Sequence, residues 1–234
     1  MRGLQLPLTA EQFRELPRNS AFRYDYLDGT AYLVPRPRHY HAMLDLAPVE
    51  ADPVDGVALR ALGPDDWEAL VPLFAESFGR AQPFAGLDDA TRRDAAGRCL
   101  TRTRSGGDGP WIEQASFVAV GEDGAAPLGA LLVTLLPEGD PCEWGSYQWF
   151  GDPPPDCIRL RLGRPHLTWV FVHPGCAGGG LGTRLLAAAV RELMALGFRE
   201  LLSTFMIGND RSALWHWRNG FRLLAYPGSQ RRRS

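Results

Sequence analysis

The chain has 234 residues, 45% of them hydrophobic and 22% charged, with a formal net charge of −2. That balance is typical of a globular protein able to build a real core, and it excludes nucleic-acid or membrane binding driven by overall charge. No run approaches the roughly 18 apolar residues of a membrane span. All 25 basic residues are arginine, which excludes Schiff-base lysines, Walker-type phosphate clamps and lysine-dependent nuclease centres. The opening MRGLQLPLTAEQF is too polar for a signal-peptide core. Cys99, Cys142, Cys157 and Cys176 are widely scattered, as in a reducing compartment, with no zinc or disulfide spacing. A cytoplasmic location is expected, with no metal site.

Residues 1–50 differ from the remainder. A short helical stretch, TAEQFREL, leads into YDYLDGTAYLV, where Asp28-Gly29 separates two alternating segments. Glycine tolerates the positive φ of a tight turn, so this reads as a hairpin. PRPRHYH, AMLDL and the acidic linker PVEADPVDG follow. The stretch is similar to the opening strands of a PD-(D/E)XK nuclease-like family over about forty residues, without that family's acidic and lysine centre. It is expected to be a structural appendage that extends a sheet or forms a homodimer contact.

From Val57 an α/β alternation begins. VALRAL is a short strand, and Trp67, Leu70, Val71, Phe74 and Phe78 recur at helical spacing after Pro64. A second helix over about 88–104 carries five arginines. Strands SFVAVG and PLGALLVTLL come next, then a long insertion over 137–166 with the aromatic group EWGSYQWF. LTWVFVHP reads as a strand buried on both faces. A helix from about Leu181 to Leu196 stops at Gly197, RELLSTF is a strand, and Asn209 caps a further helix ending at Gly220. FRLLAY is the last strand, and the arginine-rich tail 227–234 is expected to be disordered.

The most informative stretch is VHPGCAGGGLGTRLL, with four glycines within residues 178–182. A Walker A loop needs a lysine that is absent. A Rossmann fingerprint fails in either register, because Thr183 or Leu185 stands where the third glycine belongs. A strand, a proline and a glycine-rich turn feeding a helix remain. That arrangement presents successive backbone N–H groups and a positive helix end to an anion, and glycines let a phosphate approach closely.

Here the sequence resembles the GNAT acetyltransferase superfamily, over residues 57–226. Val172, Pro174, Gly178, Gly180 and Gly182 fall in register with the family's acyl-CoA motif, and Asn209, Ser212, Gly220 and Phe221 with a second motif. The resemblance implies a mixed central sheet, splayed at the acyl-CoA site, with helices on both faces. It implies acetyl-CoA as co-substrate, its pyrophosphate on the N–H groups from Ala177, Gly178, Gly179 and Gly180 through Leu181, Gly182 and Thr183. The pantetheine arm would pair like a strand along Val170 and Val172, and Asn209 would hydrogen-bond near the thioester.

Two positions depart from the pattern. Ala177 stands where the family usually has Arg or Gln, which removes one side-chain phosphate contact; Arg184 and Arg211 are the nearby substitutes. His216 stands where the family usually has a tyrosine that protonates the leaving thiolate. Imidazolium could serve, since its pKa of about 6.5 lies below the roughly 8.5 of a thiol; a core histidine between Trp215 and Trp217 is the competing reading. An alkylamine acceptor must lose a proton, for which Glu113, Glu143 and His166 are candidates. The arginines of the second helix and Trp144, Tyr147, Trp149 and Phe150 are the candidate acceptor walls. The expectation is an N-acetyltransferase for a small-molecule amine, with a non-catalytic acetyl-CoA-binding module or a peptide acetyltransferase as alternatives.

Overall fold

The computed structural model describes residues 4–18, 22–35, 39–81, 83–121, 124, 126–140 and 148–225. Two compact units divide after His39. In the first, β1 (Leu4–Pro7), β2 (Phe22–Leu27) and β3 (Thr30–Pro35) form an antiparallel sheet in the order β1-β3-β2. Asp28 and Gly29 close its hairpin with φ of 46° and 73°, the two positive values a two-residue turn requires. Helix α1 (Ala10–Glu15) starts on a capping box between Thr9 and Gln12.

The second unit holds β4 (His39–Asp45), β5 (Val57–Ala61), α2 (Trp67–Ser77), α3 (Asp89–Arg104), β6 (Phe117–Gly121) and β7 (Pro127–Pro137). It continues with α4 (Cys157–Leu160), β8 (Gly163–Val172), α5 (Leu181–Ala195), β9 (Glu200–Met206), α6 (Asp210–Arg218) and β10 (Arg222–Leu223). Its seven strands run in the order β10-β4-β9-β8-β7-β6-β5. The sequence grouped HYHAMLD with the first fifty residues as an appendage. The structure instead places it inside the larger sheet, with Leu46 N–H donating to the Arg199 carbonyl and Leu224 N–H to that of His41. Burial explains why: Ala42, Met43 and Leu44 are all enclosed, on both faces of the strand, so it needs neighbours on either side.

Helices cover both faces of this mixed sheet, as expected. On one face Leu181, Leu185, Leu186, Ala189 and Leu193 of α5 pack with Leu131, Val133, Leu135 and Leu167 of β7 and β8. On the other, Leu70, Leu73 and Phe74 of α2 and Ala96 and Leu100 of α3 pack with Val118, Ala130 and Leu132. Both cores are continuous aliphatic and aromatic packing, the main source of stability in a domain of this size. β7 is buried along almost its whole length because it serves both. The tail 227–234, and with it Glu143, Trp144 and Tyr147 of the insertion, lie outside the described residues. Trp149 is anchored through its indole N–H to the Leu135 carbonyl at 2.9 Å, whereas Phe150 is 97% exposed.

Candidate active site

The site is built where β8 and β9 part. These strands are parallel, joined through α5, but pair only at His166–Leu202 and Leu167–Ser203. Beyond Leu167 the two strands diverge. On its other side β8 stays paired with β7 up to Val172, with one extra residue, Thr168, where the register shifts. Such a bulge increases twist and turns a strand away from its neighbour, so it accounts for the fork. His173 N–H donates to the Leu128 carbonyl, which fixes the alternation along β8. Phe171 and Trp169 direct their peptide groups to β7; Val170 and Val172 direct theirs into the fork. There the Val172 carbonyl accepts a hydrogen bond from Ser77 Oγ at 2.9 Å, tying the end of α2 to the fork.

A 3₁₀ turn over Pro174–Cys176 leads from β8 to the glycines. Gly178 and Gly180 have φ of +88° and +82°, with open space where a Cβ would stand. Gly180 is the N-cap of α5, and no side chain caps that helix. The first-turn N–H groups of a helix have no intrahelical acceptor, so those of Leu181, Gly182 and Thr183 are left pointing out of α5. Ala177 to Gly180 are exposed, whereas Leu181 anchors the turn in the core. At Gly182 a Cβ would lie 3.0 Å from Trp215 Nε1, so this glycine lets the indole of α6 close onto the start of α5. Val170 and Val172 thus stand on the open side of the fork, and the turn after β8 carries the chain from them to residues 177–183, where the Ala177 and Gly179 N–H groups donate to the Pro174 and Cys176 carbonyls.

Asn209 is the N-cap of α6, its Oδ1 accepting the Ser212 N–H at 3.2 Å. Among the described residues its amide nitrogen has no hydrogen-bond partner. His216 is in a different setting from the one expected of a surface acid. It is 3% exposed and stacks on Phe205 with ring centroids 4.3 Å apart. Nδ1 lies 2.7 Å from the Ser212 carbonyl, which can only accept, so Nδ1 carries the hydrogen. Nε2 therefore accepts from the Ser203 hydroxyl, also at 2.7 Å. Burial lowers its pKa to about 4, against a smaller opposing effect of the Ser212 hydrogen bond. A neutral ring with both nitrogens engaged in the core has no proton to give a thiolate, and its geometry matches the competing structural reading.

His166 sits in the fork's angle. Its Nδ1 is 3.1 Å from Thr168 Oγ1 on the same strand, and its Nε2 is 3.1 Å from Thr204 Oγ1 on β9. Thr204 contacts His41 Nδ1 at 3.2 Å, and Thr168 contacts Thr134 Oγ1 at 2.8 Å, which donates to the Asp108 carbonyl. Because that carbonyl only accepts, the chain has one polarity. Hydrogens run from His41 Nδ1 to Thr204, from Thr204 to His166 Nε2, and from His166 Nδ1 through Thr168 and Thr134 to Asp108. Burial, with the positive charge His41 and His216 would carry, lowers the His166 pKa to about 3. A neutral His166 whose lone pair already accepts from Thr204 is a strut across the fork, not a ready base. Nothing in its sequence neighbourhood signals this, since His41 stands 163 residues from Thr204.

Other expected groups lie elsewhere. Arg184 is spent on the Val54 and Val57 carbonyls, at 3.2 and 2.8 Å, so it does not replace the side chain missing at 177. It lines a groove of about 580 Å³ on the outer face of α5, which contains neither the glycines nor the fork. Glu113 is exposed on a turn between Ile112 and Ala115, both packed in the α5-side core. Arg211 is exposed in the first turn of α6. Among the described residues no group of three or more His, Cys, Asp or Glu side chains could hold a metal, and no helix is long and apolar enough to cross a membrane.

The sequence profile of the acetyltransferase (GNAT) family matches residues 67–221, which includes α2, the fork, the glycine turn and α6. The chain belongs to the GNAT acetyltransferase family. No curated protein sequence matches it. Among solved structures, a GCN5-related N-acetyltransferase from Sphaerobacter thermophilus is 17% identical, with a TM-score of 0.50 over 81% of this chain and 50% of that one. This chain therefore spans half the length of that relative. The PaiA N-acetyltransferase from Thermoplasma acidophilum, solved in complex with coenzyme A, is 16% identical, with a TM-score of 0.50 over 74% of this chain and 94% of that one. At such identities the likeness is one of fold. Against the GNAT pattern, the departures at Ala177 and His216 differ in kind. The first leaves a backbone cradle without its side chain, and the second fills a core slot.

Proposed function

We propose that this GNAT protein is an acetyl-CoA-dependent N-acetyltransferase acting on a primary amine of a small molecule. The observation that carries the reading is the conjunction of fork and glycine turn. One offers strand-like peptide groups at Val170 and Val172, and the other offers unpaired N–H groups at a helix start with no Cβ in the way. An extended pantetheine arm ending in a pyrophosphate is complementary to both at once. Acetyl-CoA supplies an activated acyl group; the chain's part is to hold and orient it. Residues 178–183 would cradle the phosphates, joined by the indole N–H of Trp215 beside Gly182. The Val170 and Val172 peptides would hold the arm, and an N–H there or the Asn209 amide would stabilise negative charge on the carbonyl oxygen. With His216 withdrawn into the core, catalysis rests on proximity and these donors, and solvent or the acceptor supplies protons. A groove of about 510 Å³ between the end of α2, the start of α3 and the turn after β8 has the size for a small acceptor.

Thermal unfolding in a concentration series of acetyl-CoA, CoA and NADH tests the reading. A ligand at about a hundred times its Kd stabilises by roughly 2.7 kcal/mol. The expected result is a rise of several degrees with the two CoA compounds and none with NADH. No shift at millimolar CoA overturns it. A shift without thiol release from acetyl-CoA, over a broad set of amines, would leave a binding module instead of an enzyme.

A further inference from the structure

The groove of about 510 Å³ beside the turn after β8 has a charge pattern that the proposed transfer does not require. It lies between the end of α2, the start of α3 and the turn after β8, lined by Glu76, Arg80, Asp89, Arg92, Arg93 and His173. Two of its charges are matched in place. Arg92 pairs with Asp89 and donates to the Leu87 carbonyl at 3.2 Å. His173 Nδ1 accepts the Gly175 N–H at 3.1 Å, which leaves its Nε2–H facing Glu76 at 3.3 Å. The Arg92 pair cancels the charge of Asp89, whereas the neutral imidazole of His173 hydrogen-bonds Glu76 and leaves its negative charge in the groove. No carboxylate of the described residues pairs with Arg80 or Arg93. Both are exposed, so the groove's arginines outnumber its carboxylates, and Arg80 and Arg93 face the concavity without an ion pair, beside an Arg92 already held in place.

We infer that this groove is an anion subsite, taking a carboxylate or phosphate monoester group between Arg80 and Arg93. A guanidinium fork matches the two oxygens of either group, and charge-assisted bonds of this type are about twice as strong as neutral ones. The groove opens beside His173, the residue that follows the fork strand, and the Pro174 turn leads from it to the glycines. The anion could therefore belong to the amine acceptor or be the 3′-phosphate of CoA. The inference rests on the proposed acetyl-CoA site.

The test uses the full chain and its Arg80→Gln, Arg93→Gln and double variants. Calorimetric titration with CoA and 3′-dephospho-CoA addresses one source. Thiol release from acetyl-CoA with phenylalanine against phenethylamine, and with O-phosphoethanolamine against ethanolamine, addresses the other. If CoA supplies the anion, the wild type prefers CoA to its dephospho form by tenfold or more, and the double variant loses that preference. If the acceptor supplies it, both CoA forms bind all proteins alike. The wild type then favours the anionic member of an amine pair in kcat/KM, and the double variant favours the neutral one. Normal CoA binding with neither preference changed by the substitutions overturns the subsite while leaving the parent reading intact. No CoA binding by the wild type overturns both. Unchanged unfolding temperatures in the variants, expected for exposed side chains, exclude misfolding as the cause of a loss.

Discussion

At Gly182 a single absent side chain links the glycine turn to α6. Because a Cβ there would meet Trp215 Nε1 at 3.0 Å, the indole N–H occupies the rim of the cradle that Ala177 leaves bare. Trp215→Phe keeps a ring for Phe221 and His216 to pack against and removes only the donor. A hydrogen bond to a charged group contributes about 1.5–3 kcal/mol, so CoA affinity is expected to fall roughly tenfold or more with the unfolding temperature little changed. Calorimetric titration checks this; an unchanged Kd would remove Trp215 from the site. The glycines themselves were legible, because a strand, a proline and a glycine run before an apolar helix need no tertiary information. The partner of Gly182 was not, since nothing in the local pattern of α6 says which way an indole turns. His216 shows the same limit from the other side. Its register marked it as the place of an acid, but only the packing of Phe205 and the bonds to Ser203 and Ser212 show that it is core.

The fork is a property of strands. It combines a bulge at Thr168, a pairing that ends after Leu167, and an imidazole strut from β8 to β9 that continues to β4. Thr204→Val is nearly isosteric yet deletes the hydroxyl that bridges His166 Nε2 and His41 Nδ1. A hydrogen bond contributes about 0.5–1.5 kcal/mol net, so with two of them lost chemical denaturation should show a loss of about 1–3 kcal/mol. If the strut also sets how far the strands part, the variant's KM for acetyl-CoA should rise more than its kcat falls. A stability loss below 1 kcal/mol would mean the chain of hydrogen bonds is dispensable. β4 illustrates why this element escaped the sequence: enclosed on both faces, it lacks the period-two alternation that announces a half-exposed strand, and the acidic linker PVEADPVDG after it sets it on the side of the first fifty residues. Strands β5, β6, β7 and β9, whose bounds are punctuated by glycine, proline and helix starts, are legible nearly to the residue, whereas β8 begins at Gly163, four residues inside the stretch read as an insertion.

For the whole molecule, two neutral histidines buried in one sheet and its flanking helix make folding sensitive to acid. His216, lowered to about 4 by burial, and His166, lowered to about 3 by burial and by the neighbouring histidines, bind protons more weakly folded than unfolded. The unfolded chain takes them up near 6.5, so protonation favours unfolding. The stability they contribute is fully present above about pH 6.5 and is lost as pH falls toward 4. Each lost proton difference is worth about 1.4 kcal/mol per pH unit; His216 alone should then account for about 2–3 kcal/mol by pH 4.5. Asp66, held down chiefly by its hydrogen bonds with Arg60, keeps its contribution until pH falls below the ordinary carboxylate value near 3.8. Urea denaturation from pH 7.5 to 4.5 should therefore show stability falling, with His39, also lowered by burial, adding to the slope. The Ser203→Ala, His216→Phe double variant replaces one histidine and its donor by apolar groups, and its slope should be shallower than the wild type's by up to about one proton, whatever its stability at neutral pH. A slope equal to the wild type's would mean that His216 titrates normally in the folded protein. It would then be accessible to solvent protons, and its role as an acid at the thioester would return.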